Sequence, residues 1–341
     1  MNLYCSSLSI QNFICTLPKY KECILKGGLV SMAIDPKIQV NKKFLWEQLN
    51  VNWLRPETAL WRAFDSTLLS KFDMVPPSLD LGCGNGIHSF ICAGGTFSTK
   101  YDWYLNTNPD DFSKEKDIYD VCKIDSINKY IVTKPNYHFS VGLDHKINLL
   151  NQAKQLDFYD RIICFDANNS LPFENNSFNS IFSNMLYWLN DPEKSLNDIY
   201  RILKTDGTAF LFIPDVNFSE YCVPYQLKKL NSKLVEKLNH GISGTIQWET
   251  NEDNFLKLTS EIGFKTVYTK KYLSKLTLSF WDIGLRPISP VLIKMTNKLS
   301  SEDRMELKIE WLSILYDLLL PIYETDLNSD DGGFHFFVIK K

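Results

Sequence analysis

An α/β fold with a doubly wound, mainly parallel sheet is predicted for this 341-residue chain by three observations. Short apolar strands alternate with helical stretches across residues 78–213. One of them, Thr208–Ile213, is an unbroken apolar strand, as strands covered on both faces are. The first strand also runs into a glycine-rich turn that opens a helix. In order, Asn41 to Phe72 reads as one or two helices, with Leu45, Leu49, Leu60, Phe64 and Leu68 at helical spacing, closed by Pro76-Pro77. Strand Ser78–Leu81 leads through the turn to a helix near Ile87–Cys92. Strand Phe139–Leu143 precedes a helix from about Lys146 to Leu156. Strands Arg161–Cys164 and Ser180–Ser183 follow, then a helix Pro192–Leu203, a turn Thr205-Asp206-Gly207 and a strand Thr208–Ile213. Later, Glu252–Ile262 is a helix stopped by Gly263, Phe264–Thr269 a strand, and Gly333–Ile339 the final strand.

Two stretches interrupt this alternation, Gly94 to Tyr137 and Tyr272 to about Asp331. The second holds an amphipathic helix around Glu306–Leu320, whose broad stripe (Leu307, Ile309, Leu312, Leu315, Leu318, Leu319) fits a packing helix of a cap. Residues 1 to about 40 have weak periodicity and receive no role.

Composition excludes several classes. Hydrophobic residues make up 44% and charged residues 23%, which suits a globular protein with a sizeable core. A net charge of -3 offers no general attraction to a phosphate backbone, so no nucleic-acid partner is expected. The eight cysteines contain no C-x-x-C pair, and the five histidines show no ligand spacing. Reduced thiols, a cytoplasmic setting and no metal site follow as expectations. No apolar run is long enough for a membrane span, and no secretory signal is legible.

Chemistry concentrates in Leu79-Asp80-Leu81-Gly82-Cys83-Gly84-Asn85-Gly86. Glycines at alternating positions remove the Cβ atoms that would hold a ligand off the backbone, and the following helix presents its N-terminal N–H groups to the same space. Dinucleotide binders share such turns. Asp80 tips the balance, because a carboxylate there repels a pyrophosphate and attracts the ammonium of a methionine moiety. Asp144 follows the strand Phe139–Leu143, where an acid can take both ribose hydroxyls, and helix capping is its plainer use. Asp166 with Ala167 stands just past the third strand, where a carboxylate can accept from an adenine amino group or simply form a turn.

Taken together, these residues resemble the class I S-adenosylmethionine-dependent methyltransferases, most closely the methyltransferase type 11 domain. The likeness covers about residues 75 to 215. It is carried by Leu79–Gly86, Gly142-Leu143-Asp144, Asp166 with Ser170-Leu171-Pro172-Phe173, Ser183-Asn184, Asp191-Pro192, and Arg201-Ile202-Leu203-Lys204 with Gly207. It implies a Rossmann-like sheet of seven strands, the last antiparallel, with S-adenosylmethionine as cofactor. Asp80, Gly82, Gly84 and Gly86 would lie at the methionine end, Asp144 and His145 at the ribose, and Asp166 and Ala167 at adenine. Asn184 would line the path to the methyl group. The chain departs from the family pattern in two ways. The span from Gly86 to Asp144 is lengthened, and Tyr187-Trp188 stands where a Glu-His pair often follows the fourth strand, so no catalytic residue is assigned.

The expected layout is an N-terminal segment with helices over 1–74, a cofactor-binding core over 75–215, and the remaining strands with a substrate cap (about 272–331) over 216–341. The expected function is methyl transfer to a small-molecule acceptor, lipid- or sugar-linked. Tyr187, Trp188 and Arg286 would line the acceptor pocket, together with the Val216–Gln247 stretch. Arg55 and Arg62, like Arg286, can pair with an anionic acceptor group or with a carboxylate of the protein itself. The competing reading is a silent cofactor-binding subunit that regulates a partner.

Overall fold

In the computed structural model the chain divides into residues 1–36 and residues 37–341. The described residues, 38, 40–111, 118–121, 126–222, 233, 246–285 and 288–341, all fall in the second unit. Arg286, most of the Val216–Gln247 stretch, and Cys5, Cys15, Cys23 and Cys122 lie outside them.

Two helices come first, α1 (Lys42–Val51) and α2 (Pro56–Leu69). Asn41 caps α1 through its side chain, and Pro56 at the first turn of α2 forfeits only an N–H that has no helical partner. The core runs β1 (Ser78–Leu81), α3 (Ile87–Cys92), β2 (Phe139–Asp144), α4 (Ile147–Ala153), β3 (Tyr159–Cys164), β4 (Phe178–Ser183), α5 (Pro192–Ile202) and β5 (Leu203–Pro214). Then come α6 (Glu252–Ile262), β6 (Lys265–Tyr272), α7 (Ser301–Asp326) and β7 (Phe334–Lys340).

The seven strands form one sheet in the order β3-β2-β1-β4-β5-β7-β6. β7 runs antiparallel to β5 and β6, and the other neighbouring pairs are parallel. This is the sheet expected above. One local difference is at Thr205-Asp206-Gly207, read as a turn and found inside β5. Asp206 does take a left-handed φ of 64°, yet its N–H donates to the Lys341 carbonyl and Gly207 accepts from Lys341. Pairing with a distant segment absorbs the residues a local reading assigns to a turn.

Side-chain alternation divides the core between the two faces of the sheet. On β5, Ala209, Leu211 and Ile213 pack with β1 residues Leu79 and Leu81 and with Leu196, Ile199 and Phe255 of α5 and α6. Phe210 and Phe212 point the other way, into a layer with Phe64 and Leu68 of α2 and Leu312 and Tyr323 of α7. Asp80, between Leu79 and Leu81, therefore faces the layer built by α1, α2 and α3.

Helix α7 lies along α1 and α2. The apolar stripe foreseen for it is only partly used: Leu312 and Leu319 are buried, while Ile309 and Leu318 stay half exposed. Their place is taken by Arg304 and Lys308, both buried. Arg304 pairs with Asp102 at 2.6 Å, and the Lys308 ammonium donates to the Thr99 carbonyl at 2.9 Å and to that of Tyr101. Burial draws the Lys308 amine down to about 7. The insertion after α3 thus supplies the acceptors that seat α7, a dependence no periodicity reveals.

Candidate active site

The carboxyl ends of β1, β2, β3 and β4 share one edge of the sheet. There the turn after β1 is tied to β2: Gly82 and Cys83 donate N–H groups to the Leu143 carbonyl at 2.8 and 3.0 Å. Gly82, Gly84 and Gly86 have φ of 83°, 56° and 74°, a region that disfavours side chains. Their surroundings differ. A Cβ on Gly84 would meet only Leu149, at 3.9 Å, so the backbone is open there. At Gly82 the same space holds Met185, whose Cγ would be 2.2 Å away. Gly86 and Gly142 instead make room for the ring of Tyr159, each at 2.8 Å, so their lack of a Cβ serves packing.

The three predicted carboxylates reach this edge in different states. Asp144 is the most engaged with the turn: one oxygen accepts the Gly84 N–H and the other the Lys146 N–H, both at 2.9 Å. Its neighbour His145 is largely exposed, 3.6 Å from the carboxylate. Asp80 is buried and accepts from the Tyr159 hydroxyl at 2.7 Å. Burial pushes it up to about 6, against hydrogen bonds from Ser89 and Tyr159. Asp166 is exposed, and the Asn168 backbone N–H and side-chain amide, both at 2.9 Å, hold it low. Phe165 donates to the Asp144 carbonyl at 2.9 Å, which fastens the Asp166–Ala167 segment beside Asp144. Asn184 follows β4 directly, half-buried. Asp80, Asp144 and Asp166 thus share one sheet edge, as the spacing predicts. Tyr159, Ser89 and Met185 were not foreseen, and only the glycine pair opposite the Tyr159 ring could have signalled the first.

Next to the turn lies a polar cluster on α2 and α3. Asp65 accepts from the Tyr272 hydroxyl at 2.6 Å, while Arg62 and His88 stand 3.5 and 4.0 Å from its other oxygen. Burial raises the Asp65 carboxyl to about 6, and burial with the Arg62 charge keeps His88 neutral. Tyr187, half-buried past β4, is within electrostatic reach of Arg62 and Asp65, and burial raises its phenol. Its ring meets those of Phe334 and Trp188, at 5.6 and 5.1 Å. Trp188 is 47% exposed. Arg55 has a different fate, its Nε lying 3.0 Å from buried Glu57. At the end of β5, His335 and Lys271 hold Asp215 at 2.5 and 3.2 Å. Burial works to raise that carboxyl, but these partners outweigh it and keep it low.

A test of the Asp65 environment follows from linkage. An acid near 4 when unfolded and about 6 when folded binds its proton more tightly in the native state. Its contribution to stability therefore falls as pH rises from about 4 through 6 and is level above. Asp65→Asn should gain on the parent protein in melting temperature across that interval. A constant difference between the two from pH 4 to 7 would contradict the assigned burial.

Residues 128–211 match the methyltransferase domain family, a stretch that takes in β2 to β5. Over that stretch, about a quarter of its length, the chain is similar to methyltransferase domains. No curated protein matches its sequence. Solved structures similar to it include an S-adenosylmethionine-dependent methyltransferase of Thermotoga maritima, at 12% identity and a TM-score of 0.44, covering 87% of this chain and 99% of that one. A second, from Mesorhizobium loti, has 12% identity and a TM-score of 0.40 over 80% of this chain and 95% of that one. A third is a phosphoethanolamine N-methyltransferase of Haemonchus contortus, solved with S-adenosylhomocysteine, at 12% identity and a TM-score of 0.40 over 87% of this chain and 60% of that one. The matched family is one of methyl-transferring enzymes. Among the described residues no helix is long and apolar enough to cross a membrane, and no group of His, Cys, Asp and Glu could hold a metal ion.

Proposed function

We propose that this methyltransferase domain acts on a small-molecule acceptor, lipid- or sugar-linked, held between the glycine turn, Tyr187-Trp188 and the α2 side of the helical layer. The observation that carries the reading is Gly84, where a Cβ would meet only Leu149 at 3.9 Å and whose N–H is held by Asp144. A backbone cradle with a fixed carboxylate beside it suits an adenosyl group whose ribose hydroxyls need an acceptor. In this reading Asp144 takes the ribose, with His145 flanking it, and Asp166 and Ala167 face adenine. Gly82 and Gly84 border the methionine moiety, and Gly86 closes the turn as it enters α3. Asp80, turned inward, acts on the methionine ammonium through its charge. Asn184 lines the methyl path, and Tyr187 and Trp188 the acceptor side. Arg286, outside the described residues, stays a proposed acceptor contact on sequence grounds.

The cofactor supplies an electrophilic methyl group on a sulfonium. As the acceptor's lone pair forms its bond to that carbon, the carbon–sulfur bond breaks and the sulfur keeps the electron pair. The acceptor's proton, if it has one, leaves to solvent or a base. The protein's share is to place the acceptor in line and to exclude water. Tyr187 and its aromatic neighbours are suited to that task, and it asks for no dedicated catalytic side chain when the acceptor is a good nucleophile.

Incubating the protein with isotopically labelled S-adenosylmethionine and a cell extract is expected to label a compound of low molecular mass. Label in protein or RNA only would overturn the acceptor class. Binding of the cofactor with no labelled product would favour the silent-subunit reading.

A further inference from the structure

The two arginines of α2 part ways in the structure, and one of them is left with work to do. Arg55 is committed to Glu57, whose side chain is fully buried. Arg62 is a quarter exposed, and among the described residues its guanidinium has one hydrogen-bond partner, Asp65, at the outer limit of 3.5 Å. Asp65 is already satisfied at its other oxygen by Tyr272. A guanidinium carries five N–H donors in a planar fork, so most of those of Arg62 are uncommitted.

Its place matters as much as its vacancy. The line from Arg62 through Asp65 to His88 runs from α2 to the first turn of α3, which opens at Gly86. The Arg62 charge reaches both Asp80 beside the turn and Tyr187 beyond β4. Of the groups within electrostatic reach of Arg62, Asp65 and Asp80 are acids raised by burial, His88 is neutral, and the others are Tyr119, Tyr187 and Cys92. Trp61, the preceding residue, packs edge-on against Phe334 and Trp281, at 4.7 and 5.3 Å. A guanidinium so placed binds a planar or tetrahedral oxyanion bidentately.

We propose that Arg62 is the anion clamp of this active site, pairing with a carboxylate or phosphate that belongs either to the methionine end of the cofactor or to the acceptor. The assignment rests on the methyltransferase reading above for the identity of the site. It gives a clear selection rule, since an acceptor entering as an ammonium meets like charge at Arg62.

Calorimetry on the full chain separates the two sources. The probes are S-adenosylhomocysteine, 5′-methylthioadenosine, which lacks the amino-acid end, and benzoate and phenyl phosphate added to protein saturated with S-adenosylhomocysteine. Arg62→Gln is expected to weaken one class at least about tenfold. Loss for S-adenosylhomocysteine with 5′-methylthioadenosine unchanged assigns the clamp to the cofactor carboxylate. Loss for benzoate or phenyl phosphate with both adenosyl ligands unchanged assigns it to the acceptor. Unchanged binding throughout, or equal losses for the two adenosyl ligands, overturns the proposal. If Arg62→Gln does not fold, Arg62→Gln with Asp65→Asn removes the buried charge left behind and the same comparison applies. Should the parent protein bind neither adenosyl ligand, the methyltransferase reading fails by itself. The anionic probes, added alone, then decide on Arg62, and no binding of them overturns it.

Discussion

Asp144→Ala is expected to weaken S-adenosylmethionine binding by about 2–4 kcal/mol, roughly 30- to 1,000-fold in Kd. Two losses combine. The ribose would lose a charged acceptor, and Gly84, held in a left-handed conformation, would lose the oxygen that accepts its N–H at 2.9 Å. The Lys146 N–H at the start of α4 loses its partner as well. Asp144→Asn keeps the shape and one acceptor oxygen, so it should fall between the parent and the alanine variant. Calorimetric titration with S-adenosylhomocysteine measures all three proteins. Equal affinity in the parent and Asp144→Ala would remove the ribose assignment.

The largest effect on stability is expected at Phe212. Its ring is buried, stacked on Phe336 at 4.6 Å and 21°, and it meets Phe182 at 6.0 Å and Tyr272 at 5.9 Å. Phe212→Ala removes the ring from a layer that cannot close around the gap, because its neighbours sit on three different strands, β4, β6 and β7. A loss of about 3–5 kcal/mol in unfolding free energy is expected by urea denaturation, against less than about 1.5 kcal/mol for Phe212→Leu with repacking. Tyr272 also orients Asp65, so the alanine variant should disturb the polar cluster as well as the core. A loss below about 1 kcal/mol would mean that Phe212 does not bridge the strands as described.

Much of this architecture is readable from residue order because buried parallel strands are short apolar runs between helices. Ala209-Phe210-Leu211-Phe212-Ile213 can hardly be anything else. The glycine turn and the acids after β1, β2 and β3 were legible for a related reason, since a ligand at the sheet edge needs bare backbone and fixed charge. What stayed hidden depends on partners far along the chain. Asp80 could be placed by its spacing, but its partners Tyr159 and Ser89 could not. Arg304 and Lys308 look like the solvent face of α7, and only carbonyls and a carboxylate from residues 99–102 turn them inward. Arg55 and Arg62 are alike in sequence. Glu57 fully buried beside one and Asp65 shared by three groups beside the other distinguish them.

The position of β7 between β5 and β6 shapes how the protein must acquire its fold. Thr208 on β5 pairs with Lys340 on β7, and among the described residues β6 pairs with β7 alone. During synthesis β6 therefore emerges well before its partner and waits for the chain to reach Phe334 before it can enter the sheet. Closure by so remote a segment favours slow maturation and a long-lived open edge along β5. A nascent chain stalled before Phe334 should accordingly be the form most dependent on chaperones.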